Sequence, residues 1–184
     1  MKRDREKWEA RYKRDQRDLL APDEFLIAHA HLLRPGRALD LACGLGANSL
    51  FLANRGLAVD AVDISFEACS RLLAEGRRIE ADVRPFVADL DYYPLPEDLY
   101  DVVLVFYFFS PSLIPAIKAS LKAGGLLFYA TYNRRHTSVK PGFNVAYLVA
   151  EGALSSYFSD FEMVVPEEVA GDFGNVSRLA AVKG

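Results

Sequence analysis

The stretch LDLACGLGANSLFLA, from Leu39 to Ala53, decides the fold of this chain. Its apolar residues predict a buried strand that carries Asp40 near its carboxyl end, followed by a tight turn that leads directly into a helix. Gly44 and Gly46 lack a Cβ atom where a ligand would approach the backbone. The stretch therefore predicts a ligand site as well as a strand–turn–helix unit.

Two kinds of nucleoside ligand compete for this turn. A dinucleotide-binding turn would carry a third glycine at position 49, where this chain has Ser49. The carboxylate of Asp40 would repel a pyrophosphate but attract an ammonium or sulfonium cation. The turn therefore favours S-adenosylmethionine, and a nicotinamide-dependent oxidoreductase is the less favoured alternative.

Two later strands also lead to carboxylates. The strand predicted at 58–62 ends at Asp63, which is placed to accept hydrogen bonds from both ribose hydroxyls. A third strand ends at 86–88 and delivers Asp89 and Leu90, which would contact the adenine. Because parallel strands end at the same edge of a sheet, these groups are expected to share one site.

The ordered motifs LDLACGLG, AVDIS, ADL, YDVVLVFYFF and LKAGGLLFYATY resemble those of class I S-adenosylmethionine-dependent methyltransferases over about 37–132. The flanking motifs KWEARY, RRH and FNVAYLVAEGALSSYFSDFE resemble the small tellurite-resistance-type branch, which is similar to thiopurine methyltransferases. The resemblance implies transfer of a methyl group to an acceptor. A non-catalytic S-adenosylmethionine-binding protein is the alternative in a different class.

The resemblance also implies the architecture. We expect one α/β domain over 1–184 with a Rossmann-like methyltransferase fold and helices on both faces of the sheet. The seven strands are expected in the order 3-2-1-4-5-7-6, mostly parallel, with strand 7 antiparallel. Within the domain we expect a lid at 1–20, a cofactor-binding core at 37–132, and a substrate loop, a helix (146–157) and two strands (161–165 and 176–182) within 133–184.

The amino-terminal segment has two interpretations. It is highly charged, with Trp8 and Tyr12 one helical turn apart on one face. It is either a solvated helix whose two aromatic residues rest on the domain, or a lid in which Trp8, Arg11 and Tyr12 shield the sulfonium from water. The full set of cofactor-binding residues that the resemblance implies is Trp8, Arg11, Tyr12, Asp40, Ala42, Cys43, Gly44, Gly46, Asn48, Asp63, Ile64, Asp89, Leu90 and Phe106.

Candidate substrate residues follow the fourth and fifth strands. Tyr107 is the preferred substrate-facing residue, and Arg134 and Arg135 are candidates for gripping an anionic substrate. The catalytic residue is left open between Tyr107 and His136. A soft anion such as a thiolate, selenide or telluride needs no base, whereas a hydroxyl or amine acceptor does. The chain lacks an Asn-Pro-Pro-Tyr type sequence, so a small-molecule acceptor, such as a thiol or chalcogen anion, is expected.

The bulk composition limits the classes of partner and the compartment that are expected for this chain. The chain has 184 residues and a formal net charge of −3, which gives no electrostatic case for nucleic acid. Cys43 and Cys69 lack metal-binding or redox spacing, so we expect a reducing compartment, no metal and no structural disulfide. The longest apolar run, 102–109, is too short to span a membrane. We therefore expect a cytoplasmic protein with no membrane partner; the sequence does not indicate its oligomeric state.

Overall fold

Seven strands form one sheet in the computed structural model of the chain, which describes residues 2–14 and 21–184. The strands consist mainly of apolar residues, and most of them contain the β-branched residue valine, which is frequent in strands. The strands are β1 (Arg37–Leu41), β2 (Ala58–Asp63), β3 (Val83–Val87), β4 (Tyr100–Phe106), β5 (Leu121–Tyr132), β6 (Phe161–Ala170) and β7 (Val176–Lys183).

Six α-helices occur in the described ranges. They are α1 (Lys2–Arg14), α2 (Glu24–Ala28), α3 (Ala47–Ala53), α4 (Phe66–Arg78), α5 (Ile114–Ser120) and α6 (His136–Val139). Short 3₁₀ turns lie at Ala30–Leu32, Pro111–Leu113, Val145–Tyr147 and Ser155–Phe158. Within 2–14 and 21–184, no helix combines the length and apolar character needed to cross a bilayer.

The strand order is β3-β2-β1-β4-β5-β7-β6, which confirms the predicted order. β1 lies in parallel between β2 and β4, with Leu39 beside Asp60 on one side and Val103 on the other. β7 runs antiparallel to both of its neighbours, β5 and β6, as predicted. The carboxyl ends of β1, β2, β3, β4 and β5 therefore meet at one edge of the sheet, which we call the carboxyl edge.

The sheet separates two layers of buried side chains, because successive residues of a strand point to opposite faces. Leu39 and Val103 face the layer that contains Ile117 of α5. The opposite layer contains Phe25 of α2 and Leu72 of α4. Helices therefore cover both faces of the sheet, as expected for parallel strands that are buried on both sides.

The predicted helix at 146–157 is wrong. This segment contains two 3₁₀ turns and a short extended stretch instead. The N–H of Val149 donates to the carbonyl of Tyr132, and the N–H of Arg134 donates to the carbonyl of Val149. These backbone groups pair with the end of β5 and are therefore not available for hydrogen bonds within a helix. In addition, Gly152 has a left-handed φ of 69°, which is incompatible with a right-handed α-helix.

β6 is longer than predicted. β6 continues to Ala170 rather than ending at Val165, and it includes Pro166. A proline is tolerated there because β6 is an edge strand, where one side of the backbone has no strand partner. β5 begins at Leu121 and so includes the whole motif LKAGGLLFYATY, and its pairing with β4 is irregular near its start.

Two buried tyrosines of the sheet differ in their hydrogen bonding. The hydroxyl of Tyr100 donates to Asp60 at 3.1 Å, and the guanidinium of Arg37 also contacts that carboxylate. The hydroxyl of Tyr129 is buried and has no hydrogen-bond partner within the described part of the chain. An unpaired buried hydroxyl destabilises the folded state.

We therefore expect Tyr129→Phe to stabilise the protein by about 1 kcal/mol, because the substitution removes an unpaired polar group and keeps the ring. The matched variant Tyr100→Phe should destabilise it by about 1–3 kcal/mol, because Asp60 loses a donor. Urea unfolding followed by circular dichroism measures both changes. A loss of stability in Tyr129→Phe would show that its hydroxyl is hydrogen-bonded in solution.

Candidate functional site

The turn between β1 and α3 has an unusual backbone. Ala42, Gly44 and Gly46 have positive φ angles of 56°, 55° and 80°. Left-handed φ angles are costly for residues with a Cβ atom, which explains the two glycines. A Cβ atom on Gly46 would also lie only 2.3 Å from the side chain of Leu72, so this glycine lets the turn pack closely on α4.

Asp63, at the end of β2, holds the turn in place. One carboxylate oxygen accepts the N–H of Gly44 and the other accepts the N–H of Ser65, both at 2.9 Å. The side chain is 5% exposed, and burial raises the pKa of its carboxyl while the backbone donors oppose that rise. Each oxygen keeps a second acceptor position, so further hydroxyl donors can be accepted.

Asp40 is the second buried carboxylate, on β1. It is 2% exposed, and one oxygen accepts the hydroxyl of Ser49 at 2.6 Å. Burial raises the pKa of Asp40 to about 7, and the negative charge of Asp63 acts in the same direction. A cation bound beside Asp40 would favour its ionised form. Ser49 is therefore the residue that orients this acid. From the sequence, Ser49 was considered only as the residue that stands where a dinucleotide-binding turn would have its third glycine.

Helix α1 lies across the carboxyl edge. The Glu9 carboxylate accepts the Ser65 hydroxyl at 2.7 Å, and the Arg71 guanidinium donates to the carbonyl of Tyr12 at 3.4 Å. Nearer its start, Asp4 accepts the hydroxyl of Tyr147. The helix thus spans from α4, which follows β2, to the segment that follows β5. Residues 1 and 15–20 of the predicted lid lie outside the described residues.

The aromatic face of α1 lies on the glycine turn. The Trp8 and Tyr12 rings are 6.0 Å apart, and the exposed Arg11 lies over the Trp8 ring at 4.9 Å. The Tyr12 hydroxyl is so close to Gly44 that a Cβ atom on this glycine would lie 2.8 Å from it. Both rings are half-buried. The structure therefore places all three predicted lid residues on the helix that covers the carboxyl edge.

The remaining predicted cofactor residues also lie at the carboxyl edge. Ile64 follows Asp63 and is half-buried, and Leu90 follows β3 and packs on the core. The Asp89 carboxylate accepts the N–H of Asp91 at 3.1 Å. Phe106, at the end of β4, is 7% exposed. Cys43 lies between Ala42 and Gly44 in the turn.

Asn48 and Tyr107 are linked through Asp23, which the sequence reasoning missed as a site residue. The Asn48 side-chain oxygen accepts the N–H of Asp23 at 2.8 Å, and the Asp23 carboxylate accepts the Tyr107 hydroxyl at 2.7 Å. Asp23 also caps α2, a role that its place before Glu24 in the Pro-Asp-Glu sequence could have indicated. Tyr107 has a φ of 56°, a strained angle for a bulky residue and one that is common at functional sites.

A cluster of aromatic rings extends from Tyr107 towards α6, and we call it the aromatic cluster. The Tyr107 and Tyr132 ring centroids are 5.1 Å apart. His136 stacks on Tyr132 at 3.8 Å, and Phe143 meets His136 edge-on at 4.8 Å. Burial raises the pKa of Tyr132, while the nearby charge of Arg11 on α1 opposes that rise. Helix α1 therefore reaches the aromatic cluster as well as the turn.

His136 is poorly placed to act as a base. The amide nitrogen of Asn175 donates to Nδ1 of His136 at 2.9 Å, so the proton of the neutral ring lies on Nε2. The ring is 7% exposed, and burial lowers the pKa of His136. Nε2 is then a hydrogen-bond donor and has no lone pair with which to accept a proton.

The two arginines after β5 have different surroundings. Arg135 is bound by the Glu151 carboxylate at 2.7 Å, which neutralises much of its charge. Arg134 is exposed and, among residues 2–14 and 21–184, its guanidinium takes part in no ion pair. Arg134 is therefore the more available cation of the two. Across the same ranges, no group of three or more histidine, cysteine, aspartate or glutamate side chains could hold a metal ion.

Comparison with known proteins agrees with this geometry. A family model described as Tellurite resistance protein TehB matches residues 7–180. The probable S-adenosyl-L-methionine-dependent methyltransferase TehB of Haemophilus influenzae is 26% identical over 155 residues, which are 80% of this chain and 53% of that protein. The ubiquinone biosynthesis O-methyltransferase of Burkholderia cenocepacia is 30% identical over 160 residues, 80% of this chain and 66% of that protein.

Hemagglutinin 1 of Eikenella corrodens is 32% identical over 146 residues, 74% of this chain and 47% of that protein. This chain thus spans about half to two thirds of the length of the curated relatives it matches. Among solved structures, TehB from Haemophilus influenzae superposes with a TM-score of 0.76 at 20% identity, covering 96% of this chain and 67% of that chain. This superposition shows that the two chains share a fold.

Asp40 should make stability depend on pH. Its carboxyl is protonated in the folded state up to about pH 7, whereas in the unfolded chain it ionises near pH 3.8. Between these values the folded state binds more protons, so stability falls as pH rises, by about 1.4 kcal/mol for each unit of raised pKa. Asp40→Asn removes this contribution and should flatten the pH profile.

The measurement is thermal unfolding of both proteins at intervals from pH 4 to pH 8. As pH rises through this window, the native chain loses stability that Asp40→Asn keeps. We therefore expect the Tm of Asp40→Asn to rise relative to that of the native chain, by about 2–4 °C for each kcal/mol of stability that the native chain loses. Ser49→Ala is the matched variant. Loss of its donor should raise the pKa of Asp40 further and extend the window above pH 7. Parallel profiles for all three proteins would contradict the burial of an acid at this position.

Proposed function

Because this chain belongs to the Tellurite resistance protein TehB family, we propose that it is an S-adenosylmethionine-dependent methyltransferase that acts on a small molecule. One observation carries the proposal. The glycine turn, the two buried carboxylates Asp40 and Asp63, and helix α1 converge at the carboxyl edge of a methyltransferase-type sheet. Ligands of open α/β sheets bind at this edge.

The residues present fit the cofactor. Asp40 is a buried acid with the Ser49 hydroxyl on one oxygen, which suits the ammonium of an amino-acid group. Asp63 has acceptor positions left for two ribose hydroxyls, and Leu90 offers an apolar surface for the adenine. When bound, S-adenosylmethionine supplies a methyl group activated by a sulfonium. We propose that 37–132 hold this cofactor and that 133–184 contribute the acceptor side of a single domain.

For the acceptor we propose a soft anion such as a thiolate or a chalcogen anion. The Nδ1 lone pair of His136 accepts a hydrogen bond from Asn175, which leaves the ring no free base nitrogen, so the aromatic cluster suits an acceptor that arrives already deprotonated. The guanidinium of Arg134 can attract such an anion to the edge of the site. The task of the protein is then to align the nucleophile and the methyl carbon about 3–3.5 Å apart, away from water.

A hydroxyl acceptor is the second candidate. The 30% identical relative from Burkholderia cenocepacia is described as an O-methyltransferase. A hydroxyl must lose its proton during methyl transfer, so a group that takes up this proton is needed. The Asp23 carboxylate, which accepts a hydrogen bond from the Tyr107 hydroxyl, is such a group. Incubation with methyl-labelled S-adenosylmethionine and separate thiol, selenide, telluride and catechol acceptors distinguishes the two. Label in thiols or chalcogens supports a soft-anion acceptor, whereas label confined to catechol supports a hydroxyl acceptor with Asp23 as the group that takes up its proton. Binding without transfer to any acceptor would support the non-catalytic alternative.

Cofactor binding should depend on Asp63. We expect Asp63→Ala to weaken binding of S-adenosylmethionine by about 1.5–3 kcal/mol or more, because charged hydrogen bonds to the ribose are lost. Calorimetry measures the dissociation constants of S-adenosylmethionine, its demethylated product and NAD. The matched control is Asp82→Ala, an exposed acid just before β3 at the opposite edge, which should bind normally.

Asp63 also holds two backbone N–H groups, so circular dichroism must first show that the variant is folded. An unchanged dissociation constant in folded Asp63→Ala would place the ribose elsewhere. Tight binding of NAD by the native chain, with no response to the other two ligands, would overturn the proposal in favour of an oxidoreductase.

Helix α1 should act as a lid during the reaction. We expect the double variant Trp8→Ala, Tyr12→Ala to lose methyl-transfer rate by about tenfold or more while keeping most of its Tm, because the sulfonium is no longer shielded and aligned. Binding of the cofactor should also change Trp8 fluorescence and protect the chain near Arg11 from trypsin.

The control variant is Glu6→Ala, an exposed residue of the same helix that leaves the trypsin sites unchanged. It should retain the native rate and the native protection. Full activity in the double variant, together with equal proteolysis with and without cofactor, would reduce α1 to a solvated helix that rests on the domain.

A further inference from the structure

Tyr107 combines a strained backbone with an exposed ring. It follows β4 at the carboxyl edge, has a φ of 56° and is 48% exposed. A left-handed φ is costly for a bulky residue and persists only where surrounding contacts hold it. Because about half of the residue is exposed, packing in the core does not account for this strain. The contacts that hold Tyr107 therefore point to a role at the surface of the site.

Three contacts hold Tyr107 in place. Its N–H donates to the carbonyl of Ala130 on β5 at 2.7 Å, and its ring centroid lies 5.1 Å from that of Tyr132 at the end of β5. Its hydroxyl donates to the Asp23 carboxylate at 2.7 Å. Among these three contacts, only the one with Asp23 comes from outside β5. It also holds the far end of the ring, so Asp23 fixes the direction in which the ring points.

Asp23 is itself firmly anchored. Its second carboxylate oxygen caps α2 by accepting the N–H of Phe25 at 2.9 Å, and Phe25 is 1% exposed. The N–H of Asp23 donates to the side-chain oxygen of Asn48 at 2.8 Å. Asn48 lies in the first turn of α3, close behind Gly46 of the glycine turn. Asp23 therefore connects the segment that leaves the glycine turn with the ring of Tyr107.

The proton of the contact lies on Tyr107. Burial raises the pKa of the Tyr107 hydroxyl, and the hydrogen bond to Asp23 raises it further, so the phenol stays protonated and donates. The two oxygens of Asp23 then accept from two different donors, the N–H of Phe25 and the hydroxyl of Tyr107. In this arrangement the carboxylate orients a ring without taking up a proton.

We propose that Asp23 is a positioning residue for methyl transfer, which holds the Tyr107 ring as a fixed wall on the acceptor side of the carboxyl edge. The effect on methyl transfer rests on the proposed function. The fixed contact does not. A ring that is free to swing lets the acceptor leave the line of attack on the methyl carbon, and a misplacement of about 1 Å lowers a rate by about 100-fold.

Three variants separate the cap of α2 from the contact with Tyr107. Asp23→Ser keeps a capping oxygen, but its side chain is too short to reach Tyr107. Asp23→Asn keeps a capping oxygen, and its amide N–H can donate to the oxygen of the Tyr107 hydroxyl, so both contacts are retained. Tyr107→Phe removes the contact from the other side. The full chain and each variant are assayed with methyl-labelled S-adenosylmethionine and 2-mercaptoethanol, selenide, telluride and catechol as separate acceptors.

We expect Asp23→Ser and Tyr107→Phe each to lower kcat by about 10- to 100-fold while KM for S-adenosylmethionine changes by less than about twofold. The double variant should lose no more than either single variant, because both remove the same contact. Asp23→Asn should recover most of the kcat that Asp23→Ser loses. The matched control is Glu24→Gln, at an exposed acid next to Asp23, which should keep the native kcat.

Two kinetic results would overturn the inference. The first is a native kcat in Asp23→Ser, or losses that add in the double variant. The second is Asp23→Asn with as little activity as Asp23→Ser and with label confined to catechol, which would make Asp23 the group that takes up the proton.

Urea unfolding of the native chain, the two single variants and the double variant tests the contact without any reaction. Losses of stability that are smaller together than their sum support the contact, and losses that add overturn it. If the native chain transfers label to no acceptor while the two side chains are coupled in unfolding, the proposed function fails and the fixed contact stands.

Discussion

The carboxylate of Asp63 is the interaction on which the site depends. Its two oxygens accept one backbone N–H from the glycine turn and one from the start of α4, both at 2.9 Å. These two segments follow different strands, β1 and β2, and have no covalent reason to keep a fixed distance. One buried acid therefore fixes the position of the glycine turn relative to the start of α4, and any change at Asp63 acts on both segments at once.

This arrangement keeps acidic groups close together at one edge of the sheet. Asp40 and Asp63 are nearly inaccessible, burial raises the pKa of both carboxyls, and the negative charge of Asp63 raises that of Asp40 further. The charge of Glu9 on α1 acts on Asp63 in the same direction. A neutral ligand would leave this repulsion unchanged and an anionic ligand would increase it, whereas a cationic ligand relieves it. Selection for a positively charged nucleoside thus follows from the cost of the unliganded acids.

The sequence predicted those features that depend on local chemistry or on strand order. Three features could be predicted from the sequence: the glycine turn, the carboxylates at the ends of strands, and the strand order. Each depends either on residues close together in the chain or on an ordered series of motifs. The helix predicted at 146–157 was wrong because Val149 pairs with the end of β5, a contact that local periodicity does not encode. The contact of Asp23 with Tyr107 was missed for the same reason.

These long-range contacts share a consequence for function. The glycine turn touches α1 through Tyr12, α4 through Leu72, and β2 through Asp63. Helix α1 in turn reaches the aromatic cluster through the charge of Arg11 on Tyr132. Movement of the turn therefore acts on the cofactor side and the acceptor side of the edge together.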